Sequence, residues 1–555
     1  MHIPKLDENL NKNNLLLLNA IAKSARRSII EMTANVQSGH PGGSLSSLDF
    51  LVLLYTFIIS QKGNPLVISN GHISPAVYAV LAEMGYIDRD EVVDNFRQPG
   101  IFDGHVTRKV PGVWYGTGSL GIGAAVASGM AWAAKYSDTL KTKYLTDDQP
   151  HIFATIGDGE AEEGQIYEMM HAAKKFKLNN LIVFLDNNGV QLSAGRDAVM
   201  PFDPVGHFKT AGWRVIAVDG HDYQKMWEAL RVASSEKNSP VLIDAHTIMG
   251  HGITFMEESG KNHEATWHGR PPSLDQVKEE IPHLEHSTEE SKAYSFWKTE
   301  QMDYKKWKPK VKQERPLNVP MSDILEDIDI GIPREYTLDD KVECRDAYGA
   351  ALEDLAKRNE QVVGLTADLG VNTRVDRIKN VDEAKFLDVG IAEQQMVSMA
   401  GGLSLAGQVP FVSSFGVFLM NRAKDQVRVN DVNATNVKMV ASHTGLSFSR
   451  DGVIAHALDD MGMTKAMPNT GQITPTDPNQ TDHVIRYIAS HYGNYYVRLP
   501  RHQYPVITKE DGSPFIRRII SMSTEKLMQF VMGVMSLSSQ WGLLHMRPCL
   551  LVTSC

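Results

Sequence analysis

The chain has 555 residues, 42% of them hydrophobic and 22% charged, with a net charge of −10. This length and composition are typical of a folded globular protein with two or three domains and exclude a small binding module. No basic block marks a nucleic-acid surface, and the apolar cluster Leu15–Leu18 is too short to cross a membrane, so neither partner is expected. The three cysteines have no CxxC spacing, which favours a reducing, cytoplasmic setting.

The first half of the chain predicts alternating helices and strands. Apolar residues recur at helical spacing over 13–36, and a glycine-rich loop that carries His40 precedes an apolar helix over 48–59. Strand-like runs separated by helices over 165–177 and 223–235 then follow at 152–156, 181–186, 214–218 and 241–246. Strands that alternate with helices in this way predict a parallel α/β sheet.

A second α/β pattern follows a charged, irregular stretch. That stretch runs from about 271 to 338, includes the lysine-rich segment Lys305–Lys312 and has the character of an interdomain linker. The second pattern comprises helices over 347–358 and 393–406 and strands over 362–366, 437–442 and 495–498. We therefore expect α/β domains over 1–275 and 336–510, a linker over 276–335, and an irregular tail over 511–555 too short and unpatterned to be a third domain.

Acidic and amide side chains stand at the ends of two neighbouring strands. Gly157-Asp158-Gly159 follows one strand and Asp186-Asn187-Asn188 closes the next. Each is an ordinary turn sequence when taken alone. The chain between them is long enough for one helix and a return to a parallel strand, which brings both groups to the carboxyl edge of the sheet. A carboxylate and an amide oxygen there suit Mg²⁺ that is also bound by phosphate.

A dinucleotide-binding loop is not supported. Gly116–Gly121 matches the pattern GxGxxG, but it follows no clear strand, and no acidic residue closes a strand about 20 residues later. We reject NAD binding and expect this loop to pack against a flat ligand ring.

Taken together, these motifs resemble those of transketolases, which use thiamine diphosphate. The resemblance covers about residues 13–507 and rests on segments in the family's order: Ser38–Gly42, Ser69–His72, Gly104-His105, Gly116–Gly123, the GDG and NN signature, Trp267–Gly269 and Gly390–Gln394. It implies two thiamine-binding domains, 1–275 for the diphosphate and 336–510 for the pyrimidine. It also implies a homodimer whose active sites lie at the subunit interface.

The resemblance assigns the cofactor contacts. Mg²⁺, or Ca²⁺ in its place, would be held by Asp158, Asn188 and the backbone carbonyl of Val190. The residues implied to contact thiamine diphosphate are His72, Gly118, Leu120, Gly157, Asp158, Gly159, Asn188, Glu393, Phe415 and Phe418. As bare sequence, two phenylalanines three residues apart are more typical of a helix core.

The implied catalytic residues are Glu393, His40, His105 and His268. Glu393 would hydrogen-bond the pyrimidine ring and favour the tautomer that removes the thiazolium proton. The histidines suit proton movement on substrate hydroxyls near neutral pH. Without the resemblance, Glu393 would be an ordinary acid in the first turn of a helix, and each histidine an incidental one.

The resemblance also implies contacts with a sugar phosphate. The residues concerned are His40, His105, His268, Arg345, Asn372, His443, Asp451 and Arg501, and the two arginines suit a phosphate. Some positions depart from the family pattern: Ile122 replaces a glutamine, Met249 a lysine and Asn372 a serine. Ala455 stands where the family has His or Gln, so binding of the aldose acceptor is less well supported than binding of the cofactor.

The expected activity is reversible transfer of a two-carbon ketol unit from a ketose phosphate such as xylulose 5-phosphate to an aldose phosphate such as ribose 5-phosphate. The family carries this out through a dihydroxyethyl-thiamine diphosphate intermediate. Two alternatives stay open: a non-catalytic thiamine-binding remnant or regulatory partner, and an enzyme similar to 1-deoxyxylulose-5-phosphate synthase that uses pyruvate.

Overall fold

A computed structural model describes residues 3–59, 63–137, 150–304, 325 and 327–515, with only the backbone described for 300–304 and Ser449. The lysine-rich segment Lys305–Lys312 and the tail beyond Phe515 lie outside the described residues. The chain divides into two compact units between Leu317 and Asn318, and Leu405–Gly407 is grouped with the first. Each unit holds one parallel sheet flanked by helices, which confirms the predicted fold class.

The first unit contains a five-stranded parallel sheet in the order β1-β2-β3-β5-β4. Its strands are β1 Leu66–Ile68, β2 Ile152–Gly157, β3 Leu181–Asn187, β4 Arg214–Asp219 and β5 Val241–His246. The helices of this unit are Lys12–Asn35, Pro41–Leu54, Ser74–Glu83, Arg89–Asn95, Ile122–Tyr136, Gly164–Lys175, Arg196–Val199, Pro204–Thr210, Tyr223–Ser235, Thr254–Lys261, Leu274–Glu280 and Thr288–Tyr304. Strands β2 and β5 are apolar and almost wholly buried, as in a sheet covered by helices on both faces.

Helix Pro41–Leu54 lies at the centre of the first unit, and every residue in it is buried. It continues into a π-helical turn, Tyr55–Ile59. Among the described residues, this stretch is long and apolar enough to cross a membrane, but it is entirely buried inside the unit. We interpret it as a core helix. The helix begins at Pro41, directly after His40, and not at residue 48 as predicted, because proline fits the first helical position and its missing N–H costs nothing there.

The second unit contains a six-stranded parallel sheet in the order β10-β11-β9-β8-β6-β7. The strands are β6 Val362–Thr366, β7 Phe386–Asp388, β8 Val409–Phe415, β9 Lys438–Ser442, β10 Thr470–Ile473 and β11 Asn494–Arg498. Its helices are Cys344–Arg358, Gly370–Thr373, Glu393–Leu405, Ala423–Val432, Asp460–Lys465 and Pro478–Ser490, with a π-helical turn at Phe418–Arg422.

The expectation of an irregular stretch from residue 271 is wrong for 274–304. Helices Leu274–Glu280 and Thr288–Tyr304 occupy this region. Tyr294 donates a hydrogen bond to Glu83 at 2.7 Å, and Trp297 packs against the apolar core of the first unit. The high density of charge on the solvent side of these helices concealed their apolar contacts.

Candidate functional site

The carboxyl edge of the first sheet brings the predicted metal ligands together. Strands β2 and β3 pair in parallel with Gly157 opposite Asp186, so Asp158 and Asn188 both emerge at this edge. The carboxylate of Asp158 is 2% exposed and accepts hydrogen bonds from the N–H groups of Gly159 at 2.9 Å and Gly189 at 2.8 Å. The Asn188 amide is also buried, and its oxygen accepts from the N–H of Val190 at 2.9 Å.

Two neighbouring charges shift the pKa of Asp158 in opposite directions. Burial, followed by repulsion from Asp186, raises the pKa of Asp158 to about 7. Arg196 acts in the opposite direction and donates to Asp158 at 3.2 Å and to the side-chain oxygen of Asn187 at 2.9 Å. A buried carboxyl group with too few positive partners is a favourable place for a divalent cation, so this donor set fits Mg²⁺.

Four predicted histidines form one cluster in the first unit. The ring of His40 lies 5.8 Å from that of His72, 6.3 Å from that of His105 and 6.1 Å from that of His268, measured between centroids. His72 and His268 are stacked at 5.4 Å. Burial is the largest cause that lowers the pKa of each ring, to about 4 for His40. These rings are therefore neutral near pH 7.

Glycines let the backbone pack closely against this cluster. A Cβ on Gly43, in the first turn of helix Pro41–Leu54, would lie 3.0 Å from Nε2 of His72, and one on Gly71 would lie 3.1 Å from Cδ2 of His105. Leu120, in the same loop as Gly118, is 40% exposed. Two buried polar atoms, Nδ1 of His268 and Nδ2 of Asn70, have no hydrogen-bond partner among the described residues. Unsatisfied polar groups beside glycine-rich loops are what a polar cofactor such as thiamine diphosphate would require.

The second unit brings together predicted pyrimidine contacts. Phe415 ends β8, and its ring lies 5.9 Å from that of Phe418. The Phe415 ring also lies 4.1 Å from the ring of His443 and 4.9 Å from that of Phe448. Glu393 is 6% exposed and begins helix Glu393–Leu405, shortly after β7. No described contact joins Glu393 to these rings, although all follow the carboxyl ends of strands in one sheet.

The predicted phosphate contacts gather around His443. Burial, then the positive charges of Arg345 and Arg501, lowers the pKa of His443 to about 3. Arg345 donates to the backbone carbonyl of Asn372 at 2.9 Å, and Arg501 to that of Phe448 at 3.3 Å. Arg345 also pairs with the carboxylate of Glu343 through Nε. The further N–H groups of the two guanidinium groups, near a neutral imidazole, suit a phosphate.

Asp451 stands apart from this set. It is exposed at the end of the short helical segment Leu446–Asp451, and no described contact joins it to His443 or to either arginine. Its neighbours Val453 and Ile454 are 80% and 87% exposed. The structure therefore does not bring Asp451 together with the other predicted substrate contacts.

A second His-rich cluster in the first unit, made of Asp49, His221 and His251, has the composition of a metal site. Its geometry does not support one. Arg26 donates to both carboxylate oxygens of Asp49, and Nε2 of His221 already accepts the N–H of Ile248. Nδ1 of His221 lies 2.8 Å from Oδ2 of Asp49, so both ring nitrogens of His221 already have partners. We interpret this cluster as a buried charge network.

Sequence reasoning missed several polar residues that support the site. Asp186 lies in the Asp186-Asn187-Asn188 motif, which by itself assigns it no role, and its carboxylate accepts from the hydroxyls of Ser46 and Ser47. Glu160 and Arg97 also adjoin the predicted residues. The sequence signal for Asp186 is an acidic residue at a strand end between apolar segments. Burial of an acid at such a position is costly unless donors surround it, so the position indicates a group held by hydrogen bonds.

The comparisons with known proteins agree with this arrangement. Residues 18–319 match the family model described as transketolase, thiamine diphosphate binding domain, and residues 340–506 match transketolase, pyrimidine binding domain. Transketolase-like protein 2 of Mus musculus is 30% identical over 515 residues, covering 90% of this chain and 77% of that protein. Human transketolase is 31% identical over 511 residues, covering 89% and 76%.

A solved structure shows the same fold. Transketolase from Campylobacter jejuni superposes with a TM-score of 0.74 at 25% identity, covering 89% of this chain and 80% of that one. The two sheets and their edge residues define a protein of the thiamine diphosphate-binding class. With both family models matched over most of its length, the chain belongs to the transketolase family.

Proposed function

We propose that the chain is a thiamine diphosphate-dependent transketolase that moves a two-carbon ketol unit between sugar phosphates, from a ketose such as xylulose 5-phosphate to an aldose such as ribose 5-phosphate. The observation that carries this proposal is the cluster of four neutral histidines in the first unit. Such rings can accept and return the protons of sugar hydroxyls at neutral pH. A cofactor-binding protein without turnover has no need of them.

When bound, thiamine diphosphate would supply a nucleophilic ring carbon for reaction with the ketose carbonyl. Asp158, Asn188 and the carbonyl of Val190 would hold Mg²⁺, or Ca²⁺ in its place, with the diphosphate. Gly157 leaves room for a phosphate oxygen near the backbone, whereas a Cβ on Gly159 would lie 3.1 Å from the side chain of Gln191. This part of the proposal is supported by the buried, raised-pKa carboxyl group of Asp158.

The chain's own side chains would then handle binding and protons. Glu393 would hold a proton at the pyrimidine nitrogen, and Phe415 with Phe418 would exclude water from that ring. His40, His105 and His268 would take up and return protons of the sugar hydroxyls. Arg345 and Arg501 would bind the sugar phosphate, supported by their position around His443.

The assembly and setting are also proposals. The resemblance implies a homodimer with active sites at the subunit interface, which sedimentation of the full chain at several concentrations would test. A cytoplasmic location is supported by the small number of cysteines, of which Cys344 is free and buried. Cell fractionation would test it.

A single assay decides the activity. The purified chain is incubated with xylulose 5-phosphate and ribose 5-phosphate, with and without thiamine diphosphate and Mg²⁺, and release of glyceraldehyde 3-phosphate is followed. We expect release that needs both additions. Consumption of pyruvate instead of the ketose would indicate a synthase. Tight cofactor binding without turnover of either substrate would indicate a non-catalytic binding protein.

A further inference from the structure

Asp186 is a fully buried acid without an assigned role. It is the second-last residue of β3 and is 1% exposed. Three hydroxyl groups surround its carboxylate: Ser46 at 2.6 Å and Ser47 at 2.7 Å donate to Oδ2, and Thr247 donates to Oδ1. Since a buried carboxylate is costly unless donors satisfy it, this shell holds the group in one position.

The fourth partner of this carboxylate is the amide of Asn188. The Nδ2 atom of Asn188 lies 3.2 Å from Oδ2 of Asp186 and 3.3 Å from Oγ of Ser46. On the other side of the amide, Oδ1 accepts the N–H of Val190 at 2.9 Å. Turning the amide over would place two oxygens against each other at Asp186 and two N–H groups against each other at Val190. Only one orientation of the amide satisfies both neighbours.

Amide orientation matters for a hard cation. Mg²⁺ binds oxygen and not an amide nitrogen, and it demands near-octahedral geometry with little tolerance. An amide that turned freely would present nitrogen for part of the time. Groups beyond the direct ligands commonly fix the orientation of a ligand in this way.

We propose that Asp186 is a positioning residue that fixes the Asn188 amide so that its oxygen faces the divalent cation. The proposal rests on the proposed function only in placing that cation at Asp158 and Asn188. The same carboxylate binds Ser46 and Ser47 of helix Pro41–Leu54, which begins next to His40. Asp186 therefore also anchors the helix behind the histidine cluster.

The test must separate positioning from charge, because any acid near a cation attracts it. D186N and D186A both remove the charge, but only the asparagine keeps an oxygen that can accept from Asn188, with its NH₂ turned toward the Thr247 hydroxyl. The pair is compared in the Asn188 background and in the N188A background. Binding of Mg²⁺ is titrated at saturating thiamine diphosphate without substrate, by calorimetry and, with Mn²⁺, by electron paramagnetic resonance.

In the Asn188 background we expect D186A to bind Mg²⁺ at least about fivefold more weakly than D186N. In the N188A background the two should bind equally, because no amide is left to orient. An equal ratio in both backgrounds would overturn the proposal, since Asp186 would then act through charge or general packing alone. If the unchanged chain binds no divalent cation, the proposed cofactor site fails, which is a different outcome from failure of the positioning role.

A second variant does not depend on the folding of the alanine variant. D186S keeps a polar group among the three hydroxyls, but its hydroxyl is too short to reach the amide of Asn188. In the Asn188 background we expect D186S to bind Mg²⁺ at least about fivefold more weakly than D186N, and in the N188A background we expect the two to bind equally. D186S binding as tightly as D186N in the Asn188 background would also overturn the proposal.

Discussion

Glu160 and Ser69 are joined through their side chains: the Ser69 hydroxyl donates to Oε1 of Glu160 at 2.5 Å. The same carboxylate accepts the N–H of Gly121 at 2.6 Å and that of Gly157 at 3.1 Å. One buried acid thus ties together the Ser69–His72 segment, the Gly116–Gly121 loop and the Gly157–Gly159 turn. Gly121 adopts a φ of +84°, which a side chain would disfavour.

Titration of Glu160 should make the stability of the fold depend on pH. Burial raises the pKa of Glu160 from 4.5 to about 7 despite its three donors. Between these pH values the native state holds a proton that the unfolded chain has lost, so this group's contribution to stability falls as pH rises and is gone above pH 7. The 2.5 pKa units correspond to about 3 kcal/mol.

E160Q removes this titration. The free energy of unfolding is measured by urea titration at pH 5 and pH 8 for the unchanged chain and for E160Q. Relative to the unchanged chain, E160Q should gain about 3 kcal/mol of stability as pH rises. E279Q, an exposed change on helix Leu274–Glu280, should track the unchanged chain at both pH values. A difference in the free energy of unfolding between E160Q and the unchanged chain that does not vary with pH would contradict the prediction.

Removing the charged metal ligand should abolish stabilisation by the cation. Mg²⁺ with thiamine diphosphate at a hundred times its dissociation constant stabilises a native state by about 2.7 kcal/mol. D158N should lose the corresponding rise in Tm, whereas N188A, which removes one neutral ligand, should keep part of it. The Tm of each variant without ligands, measured at pH 8 beside that of the unchanged chain, shows whether a loss is instead a folding defect.

D94A is the matched control for the metal ligands. Asp94 is an exposed acid on helix Arg89–Asn95. This variant should keep the full rise in Tm with Mg²⁺ and thiamine diphosphate. An equal loss in D94A and D158N would point to general electrostatics and away from ligation.

The sequence predicts those parts of the fold where local signals agree with the tertiary structure. Strands β2, β3 and β5 are long apolar runs bounded by turns, and their predicted bounds match the structure within one residue. Strand β8 was missed because Pro410 lies inside it and Ser413 and Ser414 follow. The structure pairs Pro410 with Val363 in the interior of the sheet, a position where proline is normally excluded. Strands β1 and β7 have only three residues each, too few for a period to emerge.

The residues of the candidate site follow the same rule: those with a local sequence signal could be predicted, and those that depend on distant contacts could not. The spacing of the two strand ends predicts that Asp158 and Asn188 lie together, whereas the four histidines are implied only by the resemblance of their glycine-flanked segments to the family. Asp186 and Glu160 depend on donors far along the chain, such as Ser46, 140 residues away, and no local pattern records such contacts. The predicted contact of Asp451 with substrate stays a prediction, because its side chain is exposed and no described contact joins it to the other predicted residues.

Glu393 should be essential for turnover and unnecessary for metal binding. E393Q keeps the shape and one oxygen but cannot hold or release a proton at the pyrimidine nitrogen. We expect kcat to fall about 10²- to 10⁴-fold, while the Tm rise with Mg²⁺ and thiamine diphosphate largely persists. E383Q, an exposed acid ten residues earlier, serves as the control. Activity in E393Q close to that of E383Q would remove Glu393 from the mechanism.

His40 should act as a neutral base across the physiological range. Burial, with the charges of His268, Arg97 and His105, lowers its pKa to about 4. The neutral ring is therefore present above this value and lost as pH falls through it, so kcat/KM, which reports the free enzyme, should show an acid limb between pH 4 and 5. A limb near 6.5 that disappears in H40N would show an ordinary, solvated histidine. Circular dichroism at each pH excludes unfolding as the cause.

The two arginines of the second unit should distinguish phosphorylated from unphosphorylated sugars. A hydrogen bond to a charged group contributes about 1.5–3 kcal/mol, so R501A and R345A should each raise KM for xylulose 5-phosphate about 10- to 150-fold. KM for xylulose without the phosphate should change less than about threefold, since the lost partner is absent from that substrate. R428A removes an exposed arginine paired with Asp425 and should change neither value. Equal increases for both sugars would mean that the arginines support the fold of the pocket and do not bind the phosphate.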